Sequence, residues 1–83
     1  MNEDKSIVLE KVLNTFIKRE FPEVKEFYVN CDEFDQYHIG VNMVYADLLS
    51  LNEIEFKKKI KDISKLVLIG RDKLVRIYFY EKT

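Results

Sequence analysis

Residues that cross-link or interrupt small folds are scarce in this chain. Its 83 residues include one cysteine, one histidine, one proline, two glycines and no tryptophan. The single Cys31 excludes an internal disulfide, and a lone thiol favours a reducing compartment. Cys31 and His38 supply only two of the four ligands of a structural zinc site, so we expect no metal. Association with another chain is the remaining way to support so small a core.

Signals for membranes and phosphate-bearing cofactors are also missing. No apolar run of 18 residues occurs, and residues 1–5 are mostly polar and charged, unlike a signal peptide. Gly40 and Gly70 are too few to write a P-loop or a dinucleotide-binding motif. We therefore expect a cytoplasmic protein with no membrane contact and no cofactor.

The residues that are abundant describe one globular domain spanning residues 1–83. Hydrophobic residues make up 47% of the chain and charged residues 35%, which is too apolar for a disordered protein. Lysine, asparagine, isoleucine, tyrosine and phenylalanine are frequent while alanine occurs once. Their codons are rich in A and T, which points to a low-GC bacterium or its phage as the source.

Charge is distributed unevenly along the chain. The net charge is only −1, but residues 1–55 hold five Lys or Arg against twelve Asp or Glu, a balance of −7. Residues 56–83 hold nine against three, a balance of +6. This polarity suits docking of acidic to basic surfaces, either between two copies or with another protein.

The first half of the chain predicts a helix followed by a β-hairpin. Apolar residues recur at helical spacing over residues 6–20, and Pro22 ends that helix. Apolar and polar residues alternate over residues 27–31 and again over residues 37–45. The polar stretch 32–36 between these two runs is typical of a hairpin connection.

The second half predicts a helix that begins at a capping box. Ser50 and Glu53 have the spacing at which each side chain bonds the other residue's amide, and Leu49 with Ile54 fits a hydrophobic staple. Residues 65–69 are either the end of this helix, closed by Gly70, or a short strand; we favour the strand because the apolar run lacks helical spacing.

A final alternating run over residues 74–80 predicts the last strand. The resulting order, α-β-β-α-(β)-β, predicts an α+β two-layer sandwich. Two helices would cover one face of a three- or four-stranded, mainly antiparallel sheet.

The other face of this sheet is the first candidate binding surface. Alternation places on it Asn30, Asn42 and Val44 together with tyrosine, histidine and arginine, the last three being types that give both contact area and hydrogen bonds at interfaces. The plainer interpretation is a half-solvated sheet face on which tyrosine fits the pleat. The partner-binding residues that we predict are Tyr28, His38, Arg76, Tyr78 and Tyr80.

The second candidate surface is the lysine-rich helix. Lys57, Lys58, Lys61 and Lys65 would contact phosphates of a nucleic acid without sequence preference. The plainer interpretation is a solvated helix face, and the overall charge of −1 favours it.

Nothing in the remaining polar residues predicts catalysis. Asp32, Glu33 and Asp35 lack the glycine and spacing of a calcium loop and are interpreted as a solvated turn. Cys31 is interpreted as a small core residue and His38 as an ordinary strand histidine, although a pairing across the hairpin stays open. We therefore predict a non-enzymatic module that binds another protein or itself, for example as a homodimer, with nucleic-acid binding as the alternative.

Overall fold

Three helices and three strands make up most of residues 5–68 and 74–81, the part of the chain that the computed structural model describes. The fold is α+β, with the order α-β-β-α-α-β. The elements are α1 (Lys5–Glu20), β1 (Glu26–Cys31), β2 (Tyr37–Asn42), α2 (Tyr45–Ser50), α3 (Glu53–Val67) and β3 (Val75–Tyr80).

Helix α1 follows the predicted amphipathic pattern. Leu9, Leu13 and Ile17, four residues apart, are its buried residues, because this spacing returns to one face of a helix. The helix ends at Glu20, two residues before Pro22, as the proline predicts.

The predicted hairpin is also present, although its second strand is shorter than predicted. β1 and β2 pair antiparallel, with Tyr28 opposite Gly40 and Asn30 opposite His38. β2 ends at Asn42, whereas the alternating pattern extended the strand to Tyr45. The chain turns earlier because the Val44 carbonyl accepts hydrogen bonds from two amides of α2.

The start of α3 corrects the predicted capping box. Ser50 is the last residue of α2, and its hydroxyl donates to the Asp47 carbonyl at 2.8 Å instead of capping α3. The cap is Asn52, whose side-chain oxygen accepts from the Glu55 amide at 3.1 Å. The predicted staple is absent as well, since Leu49 and Ile54 are 69% and 84% exposed.

The predicted short strand over residues 65–69 is wrong for the part that the structure describes. Residues 65–67 continue α3, and Leu68 is its C-cap. Phe56, Ile60, Ser64 and Leu68 are all buried at a spacing of four, so the apolar face of the helix runs through the segment. Residues 69–73, including Gly70, lie outside the described residues.

In the part of the chain that the structure describes, the sheet has three strands and is mixed, not mainly antiparallel. Its strand order is β1-β2-β3, with β2 antiparallel to β1 and parallel to β3. Parallel neighbours need a long crossover, and α2 with α3 provides one between β2 and β3. The prediction of a mainly antiparallel sheet is therefore wrong for the pairing of β2 with β3, and residues 65–67, where we favoured a strand, belong to the helical crossover between them.

The core lies between the sheet and the helices α1 and α3. α1 packs against β1 and α3, and α3 also packs against β3. Phe56 of α3 is fully buried, with its ring 4.9 Å from that of Phe21 and 5.8 Å from that of Phe79. Because successive strand residues point to opposite faces, this packing leaves the other face of the sheet for different residues.

Candidate functional site

The sheet face opposite α1 and α3 carries all five predicted partner-binding residues. We call it the open face and define it by nine positions in register across the three strands. The residues predicted there from alternation lie on it, apart from Val44, which follows β2 and is exposed. The three rows, from β1 to β3, are Asn30, His38 and Arg76; Tyr28, Gly40 and Tyr78; and Glu26, Asn42 and Tyr80.

Tyr28 lies across the centre of the open face. A Cβ atom built on Gly40 would overlap the Tyr28 ring and lie 2.8 Å from its hydroxyl oxygen, so the ring covers the glycine directly. The ring also lies 6.0 Å from that of Tyr80 at an interplanar angle of 55°. The glycine therefore makes room for an aromatic side chain from the neighbouring strand.

His38 is held from both sides. Its Nε2 lies 2.8 Å from a carboxylate oxygen of Asp32, and its Nδ1 lies 3.1 Å from the hydroxyl of Tyr78. Its ring stacks on the Tyr78 ring at 5.8 Å with an interplanar angle of 14°. Because a carboxylate only accepts hydrogen bonds, a neutral His38 imidazole donates to Asp32 from Nε2. Its Nδ1 then accepts a hydrogen bond from the Tyr78 hydroxyl.

Asp32 couples this histidine to the hairpin turn. Its Oδ1 accepts from the amides of Phe34 at 2.8 Å and Gln36 at 2.9 Å, while its Oδ2 faces His38. The hydrogen bond from His38 is the largest cause of a lowered pKa for the Asp32 carboxyl, followed by the bond from the Gln36 amide. One ionised side chain thus fixes both the turn and the imidazole.

Asp32 and Gly40 are the site residues that sequence reasoning missed. The signal for Asp32 was its place at the start of a hairpin loop, where aspartate commonly accepts from amides two residues on. The signal for Gly40 was a glycine inside an alternating strand, which marks close approach of another group. Both residues shape the open face without adding much surface of their own.

The tyrosine rings of this face remain available to a partner. Tyr28, Tyr78 and Tyr80 are 46%, 44% and 37% exposed, and Arg76 is exposed beside them. At the far end of the face, Asn42 donates to the Glu26 carboxylate at 2.9 Å. The face therefore offers aromatic area, hydrogen-bonding groups and one cation, Arg76.

Cys31 does not pair with His38. It belongs to the helix-facing side of β1 and packs against the core, as predicted. Its thiol lies 3.6 Å from a carboxylate oxygen of Asp35, while both ring nitrogens of His38 face other partners. The two side chains are therefore on opposite faces of the sheet, and the geometry gives no thiol–imidazole pair.

The predicted lysine site is only partly free. Lys57 forms an ion pair with Glu53 at 2.9 Å and lies 5.5 Å from the centre of the Phe79 ring. Lys58, Lys61 and Lys65 are exposed on α3. At about 100° per residue, these four lysines span an arc of about 100° around the helix.

Other features of residues 5–68 and 74–81 do not add a chemical centre. Within these ranges no group of three or more His, Cys, Asp or Glu side chains is placed to hold a metal ion. The helices described there are all too short or too polar to cross a bilayer. Comparison with protein-family models, with curated proteins and with solved structures found no match.

Proposed function

We propose that this protein is a non-enzymatic binding module whose open face contacts another protein. The observation that carries the proposal is the register of the face, which brings Tyr28, His38, Arg76, Tyr78 and Tyr80 together on the side away from α1 and α3. Tyrosine and arginine are the residues that most often dominate the binding energy of protein interfaces.

Preorganisation of the side chains supports binding. The ring of Tyr78 is stacked on His38, and Tyr28 is placed between Gly40 and Tyr80. Side chains that are already ordered lose little rotamer entropy when a partner arrives. A loosely held tyrosine face would bind more weakly at the same area.

The engagement of His38 supports binding over catalysis. A general base needs a ring nitrogen that reaches a substrate proton, whereas Asp32 and Tyr78 take both nitrogens here. The imidazole instead positions Tyr78 through the stacked rings and the hydrogen bond to its hydroxyl. The proposed role of the aspartate–histidine–tyrosine chain is thus to set the shape of the face.

The size of the face limits the affinity that it gives alone. Three strands about 4.8 Å apart and six residues at about 3.3 Å each give a projected area of roughly 14 Å by 20 Å, or about 280 Å². A standard interface buries about 800 Å² on each partner. The open face is therefore the centre of an interface that extends beyond it, or a weak contact in its own right.

The test compares two tyrosines that differ in position. Tyr78 lies on the open face, whereas Tyr45 is 68% exposed on α2 and outside it. Tagged wild-type chain, Tyr78→Ala and Tyr45→Ala would capture proteins from cells, and only ligands other than a second copy of this chain would be scored. We expect specific ligands to be retained by wild type and Tyr45→Ala, and reduced tenfold or more by Tyr78→Ala, as for an interface hot spot. Equal retention by all three chains would refute the proposal.

The alternative proposal is nucleic-acid binding through Lys57, Lys58, Lys61 and Lys65. The observation in its favour is that these lysines share one arc of α3, whereas Lys59 lies outside it and pairs with Glu55 at 3.2 Å. Fluorescence anisotropy with labelled DNA and RNA over a salt series tests this, since phosphate contacts weaken steeply with salt. Lys61→Gln should reduce binding and Lys59→Gln should not. Absence of any complex at low salt would contradict it.

A further inference from the structure

Within residues 5–68 and 74–81, strand β3 forms one end of the sheet, and the backbone groups on its outer edge pair with none of these residues. The Tyr37 amide donates to the Leu74 carbonyl, and Tyr37 is in register with Val75. In a parallel ladder this register directs the backbone amides and carbonyls of the even-numbered residues of β3 toward β2. The amides and carbonyls of the odd-numbered residues point away from β2. No strand within residues 5–68 and 74–81 lies beyond this edge, which presents the amides and carbonyls of Val75, Ile77 and Phe79.

The sequence of β3 has none of the usual protection of an edge strand. Natural edges are commonly blocked by proline, bulges or several charges. β3 reads Val-Arg-Ile-Tyr-Phe-Tyr, with Arg76 as its one charge. Its helix-facing residues Val75, Ile77 and Phe79 are only half-buried, whereas Ile39 and Val41 of the central strand are fully buried. Apolar surface at this edge is thus left for another strand to cover.

We infer that a second copy of this chain pairs antiparallel with β3 at this edge, centred on Ile77, to form a continuous six-stranded sheet. In that register Ile77 opposes Ile77 of the second copy, and Val75 opposes Phe79 in both directions. Each of these three pairs exchanges two backbone hydrogen bonds, six in all. The contact is isologous, so it closes at two copies.

The same register matches the side chains on the open face. Arg76 opposes Tyr78 of the second copy, and Tyr78 opposes Arg76 of the second copy. These are non-hydrogen-bonded positions, where side chains approach most closely, and arginine on tyrosine gives a cation–π contact. Centring the pair on Arg76 instead would bring two arginines together, which is unfavourable.

Charge on α3 does not prevent this pairing. Lys57 of α3 lies over the Phe79 ring of β3 and is already paired with Glu53. In the dimer the two Phe79 residues are four positions apart along the strands, or about 13 Å. Remaining lysine repulsion predicts that association strengthens as salt is added.

Pairing also supplies area that one open face lacks. Six strands double its projected area to roughly 560 Å², a larger centre for a partner. The dimer contact consists of the outer backbone edge of β3 with Arg76 and Tyr78 at the margin of the open face, so the dimer can form even if the rest of that face binds no other protein. Tyr28 distinguishes open-face binding from dimerisation, because it lies on β1 and β2 separates that strand from the β3 edge where the dimer forms. Tyr28→Ala should weaken open-face binding and leave dimerisation unchanged.

Disulfide trapping tests the register. With Cys31, the sole cysteine, changed to serine, Ile77→Cys places two thiols at opposed positions with Cα atoms about 5.5 Å apart, within disulfide range. Val75→Cys is the matched control, because its two copies would be about 13 Å apart. Under mild oxidation we expect Ile77→Cys to cross-link at least tenfold faster. Equal rates in the two variants, or no cross-link in either, would overturn the inference.

Sedimentation of the unsubstituted chain tests association without depending on a variant's folding. We expect the dimer fraction to rise with concentration, and a strict monomer at about 500 µM would overturn the inference. Val75→Pro removes an outward amide at the first residue of the strand, a position where proline is compatible with an edge. It should weaken the dimer tenfold or more, while Val75→Thr, which keeps the amide, should not. An unchanged dimer in Val75→Pro would count against edge pairing.

Discussion

Replacing Gly40 with alanine tests whether Tyr28 depends on the glycine beneath it. In most strands this change is favourable by about 0.5–1 kcal/mol, because glycine loses more backbone freedom on folding. Here the new methyl group would overlap the Tyr28 ring, so the ring must tilt toward solvent. The sign of the effect therefore depends on what Tyr28 loses when it moves.

The size of that loss follows from burial. Tyr28 is 46% exposed, so about half of its roughly 200 Å² is buried on the sheet. At about 25 cal/mol per Å², covering about 100 Å² stabilises the fold by about 2.5 kcal/mol at most. Subtracting the backbone gain, and allowing the ring to repack in part, we expect Gly40→Ala to destabilise the protein by about 1–2 kcal/mol.

A double-mutant cycle isolates this effect. In a Tyr28→Ala background the obstacle is gone, and Gly40→Ala should stabilise the fold by about 0.5–1 kcal/mol, giving a coupling energy of about 2 kcal/mol. Urea unfolding followed by far-ultraviolet circular dichroism measures all four chains. Tyr28→Phe is the control, because it keeps the ring and should behave like wild type. If Gly40→Ala has the same effect in both backgrounds, the glycine does not make room for the tyrosine and the reasoning is wrong.

Two further predictions test the turn and the helix cap. Because hydrogen bonds from His38 and from backbone amides lower its pKa, ionised Asp32 stabilises the fold above pH about 4, and this contribution is lost as pH falls through the lowered pKa. The difference in unfolding free energy between wild type and Asp32→Asn should therefore shrink from pH 7 to pH 3. A constant difference would contradict this prediction. Asn52→Ala should destabilise the protein by about 1 kcal/mol, because it removes the cap on the Glu55 amide, whereas Ser50→Ala should change stability by under about 0.5 kcal/mol. Thermal unfolding of both variants measures the two effects. A larger loss for Ser50→Ala than for Asn52→Ala would indicate that Ser50 caps α3 after all.

Strong periodicity made most of the fold predictable. The helix α1 and the two faces of each strand follow directly from where apolar residues recur, because burying one face requires that spacing. The five predicted residues share one face for the same reason. Period-two alternation fixes the side of a strand on which each residue lies, whatever the order of the strands.

The mistakes came from places where two local patterns compete. Ser50 and Glu53 have the right spacing for a capping box, but Asn52 can cap the same turn and Ser50 can complete a helix of its own. The apolar run that begins at Leu66 is compatible with a strand, but Val67 and Leu68 pack against the core as the last turn and C-cap of α3. Once that segment is helix, the chain returns to the sheet parallel to β2, so the strand directions changed with it.

The contacts that organise the open face depend on strand pairing, which local patterns do not specify. His38 and Tyr78 are forty residues apart in sequence and meet only because β3 lies beside β2. Asp32 reaches His38 because the tight turn brings the end of β1 back beside β2. The residue types were therefore predictable, but their hydrogen-bonded arrangement was not.

The acidic and basic halves of the sequence lie at opposite ends of the sheet. Acidic residues flank β1, with Glu26 at its start and Asp32 and Glu33 just after its end, while β3 and the neighbouring α3 are basic. In the proposed dimer the two β3 strands form the centre, and both β1 strands become outer edges. Like charges on these edges repel another β1 edge, and each basic β3 edge is already occupied. The opposite charges of the two halves of the chain, which nearly cancel in the net charge of −1, would thus limit the assembly to two copies. Pairing of β3 with β1 would instead produce an open filament.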